Sequence, residues 1–328
     1  MQMISVVCPF YNEESILEKS VKLMLHNLDK LEEKWELIIV NDGSTDSSLN
    51  IARELEIGHP NLKVCSYTFN KGRGFAIRAG IDHAKGKIVV TSEIDSSWGD
   101  DIVYRIVQAF TIHPDADMII ASPHLPEGGY KNVPFKRVFL SKYGNLIIRA
   151  SLTNRLTMNT GMTRGYLREK FLGLPLEEDG KEMHLEIINK AIAFDYTIYE
   201  IPATLEWKTE KLKTGEGRDR KSSSRINSLI SSHLMFSMGV APFRYIFSVS
   251  GILGTLSLVA FGIAIYKLFT PDPTIYWLIT SFFLSLFGFV FFGVGLLARQ
   301  NREIMGELWR IRSIIQEKEG YDSRRIAD

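Results

Sequence analysis

Two uncharged apolar runs near the C-terminus constrain this chain more than any other feature. Arg244 and Lys267 bracket 22 residues without a charge, and Asp272 and Arg299 bracket another 26. About 20 apolar residues suffice to cross the hydrocarbon core of a bilayer. Both runs are apolar around the whole helical circumference and rich in Phe and Gly, which favours spanning over two buried soluble helices. A short Thr-Pro-Asp-Pro-Thr turn at 270–274 joins them, so 244–298 reads as a transmembrane hairpin. Arg244, Arg299 and Arg302 flank its outer ends, against Lys267 alone in the connection. An excess of cations marks the cytosolic side, so both termini are expected there.

The remaining composition narrows the function. Lys plus Arg is 39 and Asp plus Glu 38, a formal net charge of +1 in 328 residues. A nucleic-acid binder normally carries a basic excess, so none is expected as partner. The charge is uneven: the stretch 208–225, KTEKLKTGEGRDRKSSSR, is cation-rich and sits just before the hairpin. Cys8 and Cys65 lie in apolar, strand-like runs and are expected to be buried free thiols, in keeping with a reducing cytosol. No signal peptide is read at the N-terminus, which goes straight into a strand pattern.

Over the first 120 residues short apolar runs alternate with segments of helical period. The runs 4–8, 37–40, 62–67, 88–91 and 118–121 read as buried strands, and 15–28 and 74–84 as helices between them. Such alternation predicts an α/β domain with a mostly parallel sheet covered on both faces. Ligands bind such sheets beyond the carboxyl ends of the strands. Residues 9–13, 41–45 and 93–97 fall at those ends. Residues 122–146 lack a clean period and hold Pro123, Pro126, Gly128, Gly129 and Pro134, which predicts a long, partly mobile loop with a functional role. Residues 147–206 return to a mixture of helix and strand. Residues 223–243 are amphipathic and could lie flat on a bilayer. After the hairpin, Ile304, Leu308, Ile311 and Ile315 recur at helical spacing, an amphipathic tail for the interface or for self-association into a homo-oligomer.

Several short motifs carry chemistry. Glu93 and Asp95 are two apart at a strand end and so face the same way, able to approach one divalent cation. Hard oxygen ligands suit Mg²⁺ or Mn²⁺, with diphosphate oxygens completing the shell. Asn41-Asp42-Gly43-Ser44-Thr45 is a turn and helix start in which Ser44 or Thr45 caps and Asp42 is left for a base or ribose. Asn70-Lys71-Gly72-Arg73-Gly74 opens another helix; its glycines allow close backbone approach, and Arg73 and Arg78 suit an anion. Glu186, beside His184, is either a satisfied structural carboxylate or one that orients a sugar hydroxyl.

Together the pieces CPFYNEE, IIVNDGSTDSS, NKGRGFAIRAGIDHAKG, EIDSSW, HLEIINKA and EIPATLEW resemble the family 2 glycosyltransferases of the GT-A fold. Among these the chain is similar to the polyprenyl- or dolichyl-phosphate sugar synthases with two transmembrane helices. The resemblance covers about residues 3–210, the expected GT-A domain being 1–210. It would be followed by a basic linker and interfacial helix (211–243), the hairpin (244–298) and a cytosolic tail (299–328). It implies nucleotide contacts from Pro9, Tyr11, Glu13 and Asp42, beside which Arg73, Arg78 and Ile94 are expected to bind the nucleotide, with Glu93 and Asp95 in place of the family's Asp-x-Asp metal motif. It also implies an acceptor-phosphate grip from Arg137 and Ser141, with His124 and Lys208 standing where the family often has Arg. Ser97 stands where many members have Gln, and Asn159-Thr160-Gly161-Met162 where Thr-Ser-Gly-Phe is common.

The resulting expectation is an inverting hexosyltransferase that uses a GDP-mannose or UDP-glucose type of donor and a polyprenyl (dolichyl) phosphate acceptor. Asp95, Glu93 and Arg137 would carry catalysis. The enzyme would be integral to the cell or endoplasmic reticulum membrane, with its catalytic domain in the cytosol. Two other readings stand beside it. One is a glycosyltransferase that extends a lipid-linked glycan at a sugar hydroxyl, with Glu186 as base. The other is an inactive nucleotide-sugar-binding membrane scaffold.

Overall fold

The computed structural model describes residues 3–135, 138–139, 141–142, 144–146, 156–207, 242–270 and 275–326, with the side chains of the last helix described to 315. Arg137, Lys208, the turn at 271–274 and the expected interfacial helix lie outside the described residues.

The first half alternates as expected: β1 (Ile4–Phe10), α1 (Leu17–Leu28), β2 (Trp35–Asn41), α2 (Ser48–Gly58), β3 (Leu62–Ser66), α3 (Arg73–His83), β4 (Ile88–Thr91), α4 (Ile102–Ile112) and β5 (Met118–Ser122). β1, β2 and β4 are apolar runs because both faces of the sheet are covered; Val6, Val7, Ile38, Ile39, Val89 and Val90 are fully buried. α1 buries Leu17, Val21, Met24, Leu25 and Leu28, one stripe at helical spacing. α3 sits so close to the sheet that a side chain at Gly80 would meet Val7 and Val40.

The sheet has seven strands in the order β3-β2-β1-β4-β7-β5-β8. β7 (Arg164–Leu167) runs antiparallel between β4 and β5, and β8 (Ile198–Pro202) runs parallel to β5. Sequence periodicity gave no sign of β7, a four-residue strand holding a fully buried Arg164. The stretch 122–146 is not simply a loop. It contains β6 (Gly129–Lys131), which pairs in parallel with β9 (Thr204–Glu206) as a second small sheet, and its described residues 135, 138–139, 141–142 and 144–146 are helical. α5 (Arg168–Leu172) and α6 (Met183–Ala193) complete the domain.

α7 (Pro242–Leu268) and α8 (Tyr276–Ile326) form the hairpin. Both are long and apolar enough to cross a membrane, with mean hydropathy of 2.0 and 2.2 in their most apolar windows. They join through paired small residues. Ser257 and Ser281 exchange hydrogen bonds with each other's carbonyls at 2.9 and 3.0 Å, and Ser250 donates to the Gly288 carbonyl at 2.8 Å. The tail is not a separate element. It is the continuation of α8, a single helix of 51 residues. Its apolar residues Ile304, Leu308, Ile311 and Ile315 are about half exposed, while other faces grip the α/β domain. Arg310 donates to the Ala193 carbonyl at 2.8 Å and to Asp195 at 2.9 Å, Arg312 pairs with Glu177, and Ser313 donates to the Gly173 carbonyl at 2.6 Å. Of the two cysteines Cys8 is buried and Cys65 only half-buried, both as free thiols.

Candidate active site

The carboxyl ends of β1, β2 and β4 converge on one edge of the sheet. Their loops are stitched together by side chains rather than capped singly. Asn12, at a left-handed φ of 53°, accepts from the Thr45 amide at 2.8 Å, and its own amide donates to Ser44 Oγ at 3.0 Å. The Glu13 amide donates to Ser48 Oγ at 2.8 Å. Ser44 and Thr45 are thus spent on Asn12 and do not cap α2. Ser47 is the N-cap residue, without a side-chain capping bond, and Asp46 just before it accepts from the Ser48 amide at 3.0 Å. Pro9 is half-buried and Tyr11 exposed at this edge, so both face the region where a ligand would sit.

Glu93 and Asp95 follow β4 directly, and Ser97 holds both. Its hydroxyl donates to Glu93 Oε2 at 2.7 Å and its amide to Asp95 Oδ1 at 3.1 Å. Ser96, between Asp95 and Ser97, adopts φ 51°, which turns the chain back so that one serine reaches two carboxylates. Ile94 points the other way and is buried, so it is a core residue whose backbone alone is left for a nucleotide. Arg73 Nη1 stands 3.9 Å from Glu93 Oε1, which places that cation at the same spot. β9 closes over the loop, the Glu206 amide donating to the Ser97 carbonyl at 2.7 Å. Two preset carboxylates offer the hard oxygen donors that suit a divalent cation. Among the described residues no third His, Cys, Asp or Glu joins them as a ligand cluster.

Two residues expected as nucleotide contacts, Asp42 and Arg78, also have partners within the chain. Asp42 is buried, and its Oδ1 accepts from Tyr67 Oη at 2.8 Å and from the amides of Lys71 and Gly72 at 2.8 and 3.1 Å, while Oδ2 takes only the Gly72 amide at 3.2 Å. Burial and this carboxylate together push the Tyr67 hydroxyl pKa up, so Tyr67 stays a donor. Asp42 shapes the 70–74 loop. Arg78 turns to residues 178–179, donating to the Glu178 carbonyl at 2.5 Å and pairing with Asp179. The amides at the start of α3 are also taken, Gly74 at 2.7 Å and Phe75 at 3.2 Å from the Asp179 carbonyl. The close approach that Gly72 and Gly74 permit is therefore that of this chain's own 178–179 segment. Glu186 proves structural, accepting from the amides of Glu177 (2.9 Å) and Glu178 (3.0 Å) and from Lys190 Nζ at 2.6 Å.

A second cluster forms beyond β5. Tyr130 Oη lies 2.9 Å from Ser141 Oγ and 3.2 Å from His124 Nε2, and Ser141 Oγ lies 3.4 Å from that same nitrogen. Asn145 donates to the Ser141 carbonyl at 2.9 Å and accepts from the Asn159 amide at 2.7 Å. The structure thus brings His124 and Ser141 together and adds Tyr130 and Asn145, which the sequence did not single out. Burial, then the Lys142 charge, holds the His124 pKa below its ordinary value, so the ring is neutral at pH 7. Burial raises the Tyr130 pKa, keeping its proton. The cluster offers hydroxyl and imidazole groups to an oxyanion, with Lys142 close enough to act on His124.

Residues 5–173, just over half of the chain, match the family described as glycosyl transferase family 2. The chain belongs to that family. Its family 2 domain is 28% identical over 210 residues to a polyprenol monophosphomannose synthase of Mycolicibacterium smegmatis, covering 62% of this chain and 77% of that protein. It is 36% identical over 99 residues to a dolichyl-phosphate β-glucosyltransferase of Trichomonas vaginalis, covering 29% of this chain and 31% of that one. For most of these curated relatives the matched stretch spans about a third of their length. The crystal structure of glucosyl-3-phosphoglycerate synthase from Mycobacterium tuberculosis, bound to Mn²⁺, UDP-glucose and phosphoglyceric acid, superimposes with a TM-score of 0.51. It is 17% identical and covers 73% of this chain and 80% of that one. That likeness establishes the GT-A fold of the family 2 domain.

Proposed function

We propose that this chain is a membrane-bound, metal-dependent hexosyltransferase that moves a hexose from a nucleotide sugar to a polyprenyl or dolichyl phosphate. The observation that carries the reading is the paired grip of Ser97 on Glu93 and Asp95 at the sheet edge of a family 2 domain tied to two span-length apolar helices. The names of the relatives, two of which act on polyprenyl-type phosphates, support the acceptor class. The Mn²⁺ in the mycobacterial crystal structure supports a divalent ion at this edge.

Glu93 and Asp95 would hold Mg²⁺ or Mn²⁺, which when bound stabilises negative charge on the departing diphosphate. Pro9, Tyr11, Glu13, Asp42, Arg73 and Arg78 would line the donor side. The acceptor phosphate is an anion near neutral pH, its second ionisation lying around pH 6 as for other monoesters. It needs positioning rather than deprotonation. Ser141, Tyr130 and neutral His124 would orient it, together with Arg137 and Lys208. A phosphate oxygen forms the new bond to the anomeric carbon from the face opposite the diphosphate. The old carbon–oxygen bond breaks with its electron pair leaving on the diphosphate, and the configuration inverts. Transfer to a sugar hydroxyl would need a base, and Glu186, spent on two amides and Lys190, is not placed to serve.

The test is turnover of radiolabelled nucleotide sugar with prenyl phosphate, with and without EDTA. Asp95→Asn is expected to lose most activity while staying folded; full activity of that variant in EDTA would sink the metal assignment. The proposed orientation puts the domain and both chain ends in the cytosol. A cysteine replacing Asp272 should then react with an impermeant thiol reagent outside sealed cells, and one replacing Ser323 should not.

A further inference from the structure

We propose that Glu200 is a positioning residue for the acceptor phosphate, holding His124 and Ser141 in register through the 157–159 segment. This rests on the proposed function and on the reading of those two residues as part of the acceptor grip. Glu200 opens the EIPATLEW stretch and lies in β8, an edge strand of the large sheet. Parallel pairing sets it beside Ile120, so it shares a face with Ser122, two residues further along β5. A half-buried carboxylate is costly unless it is hydrogen-bonded, and burial raises its pKa above the ordinary value. The bonds that offset this all come from one place. The Thr157 amide donates to both oxygens, at 3.0 and 2.8 Å, the Met158 amide to Oε1 at 2.8 Å, and Thr157 Oγ1 to Oε1 at 3.0 Å.

Two arms run from this anchor, and both end on the acceptor cluster. In the first, Met158 leads directly to Asn159, whose amide donates to Asn145 Oδ1 at 2.7 Å; Asn145 in turn donates to the Ser141 carbonyl at 2.9 Å. In the second, the Thr157 hydroxyl gives its one proton to Glu200, so the 2.6 Å bond between Thr157 Oγ1 and Ser122 Oγ is donated by Ser122. Ser122 Oγ keeps its lone pairs for the His124 amide, at 3.2 Å. The arms meet where Ser141 Oγ lies 3.4 Å from His124 Nε2. A neutral amide cannot stand in for the carboxylate. Both oxygens of Glu200 face the Thr157 amide, so Glu200→Gln would set an NH₂ against that donor in either of its orientations. The donor-side carboxylates Glu93 and Asp95 are held separately, by Ser97.

The experiment is steady-state transfer by the full chain in vesicles, with prenyl phosphate and radiolabelled nucleotide sugar each varied at saturation of the other. Glu200→Gln should raise the KM for prenyl phosphate about tenfold, as expected for lost hydrogen bonds to a charged group, and leave the KM for the nucleotide sugar unchanged. Thr157→Val cuts only the second arm and keeps the test open if Glu200→Gln does not fold. It should raise the acceptor KM about threefold, and Thr157→Ser, which keeps the hydroxyl, should restore the parent value. A carboxylate that only stabilises the fold would lower kcat alone or shift both KM values together. Either result, or parent-like KM values in both Glu200→Gln and Thr157→Val, would overturn the positioning role, while transfer by the parent would leave the proposed function standing. No transfer to prenyl phosphate by the parent would overturn both.

Discussion

Ser97 does two jobs with one residue, and each can be removed separately. Ser97→Ala deletes the hydroxyl that holds Glu93 but keeps the amide that holds Asp95. A hydrogen bond to a charged group contributes about 1.5 kcal/mol, so the Mn²⁺ concentration for half-maximal transfer should rise about tenfold and maximal rate return at saturating metal. An unchanged metal titration would mean that the serine does not preset the pair. At the opposite end of the sheet Glu36 shows the same economy away from the chemistry. Burial pushes its pKa up, but Lys63, the Ser5 hydroxyl at 2.7 Å and the Lys85 amide at 2.6 Å outweigh it and hold it below the ordinary value. A depressed carboxylate pKa stabilises the fold above the unfolded value, and that contribution is lost as pH falls through the folded value. Glu36→Gln should therefore cost about 2 kcal/mol at pH 7, and its melting curve should approach that of the parent as pH falls below the ordinary carboxylate range. An equal gap at both pH values would rule this out.

At the scale of elements, the start of α3 is sealed by the chain itself. A side chain at Gly72 would come within 2.6 Å of the Asp179 carbonyl, at a φ of 98°, and one at Gly74 within 2.8 Å of the same backbone. Neither neighbour is a flexible side-chain tip, so the 178–179 segment must move to admit a methyl group. Gly74→Ala is expected to lower stability by about 1–3 kcal/mol, read as a drop in the thermal midpoint. A midpoint equal to that of the parent would show that this packing is loose.

At the scale of the molecule, α8 connects the apolar hairpin to the loops around the start of α3. Arg312 and Ser313 hold residues 177 and 173, Glu186 holds 177–178, and Asp179 holds the start of α3, whose preceding loop is shaped by Asp42. The α/β sheet is complete without the hairpin, yet this chain of contacts is not. Replacing Arg310 and Arg312 together by Ala should loosen the 173–179 segment and weaken binding of UDP or GDP about fivefold, a modest coupling between separate sites. Calorimetry on the full chain reads this directly. Unaltered affinity would make the tail a passive extension.

The sheet strands from 4 to 121, the α/β class, the span-length helices and the acidic pair were legible in the sequence because each is written in local pattern. Apolar runs of strand length, uncharged runs of bilayer length and carboxylates two apart need no knowledge of distant residues. What the tertiary structure decided was where each polar group spends its hydrogen bonds. Asp42, Arg78 and Glu186 look like ligand-binding residues in isolation. Partners 29, 100 and nine positions away in the chain, Lys71, Glu178 and Glu177, fix where they stand. β7 escaped notice because an antiparallel insertion of four residues carries no period of its own. Tyr130 and Asn145 escaped because a tyrosine and an asparagine gain a role only when folding sets them against His124 and Ser141. Local pattern fixes which elements form, since that depends on burial along one segment. Long-range hydrogen bonding fixes which side chains remain for chemistry, since a buried polar group takes whatever partner the fold brings within reach.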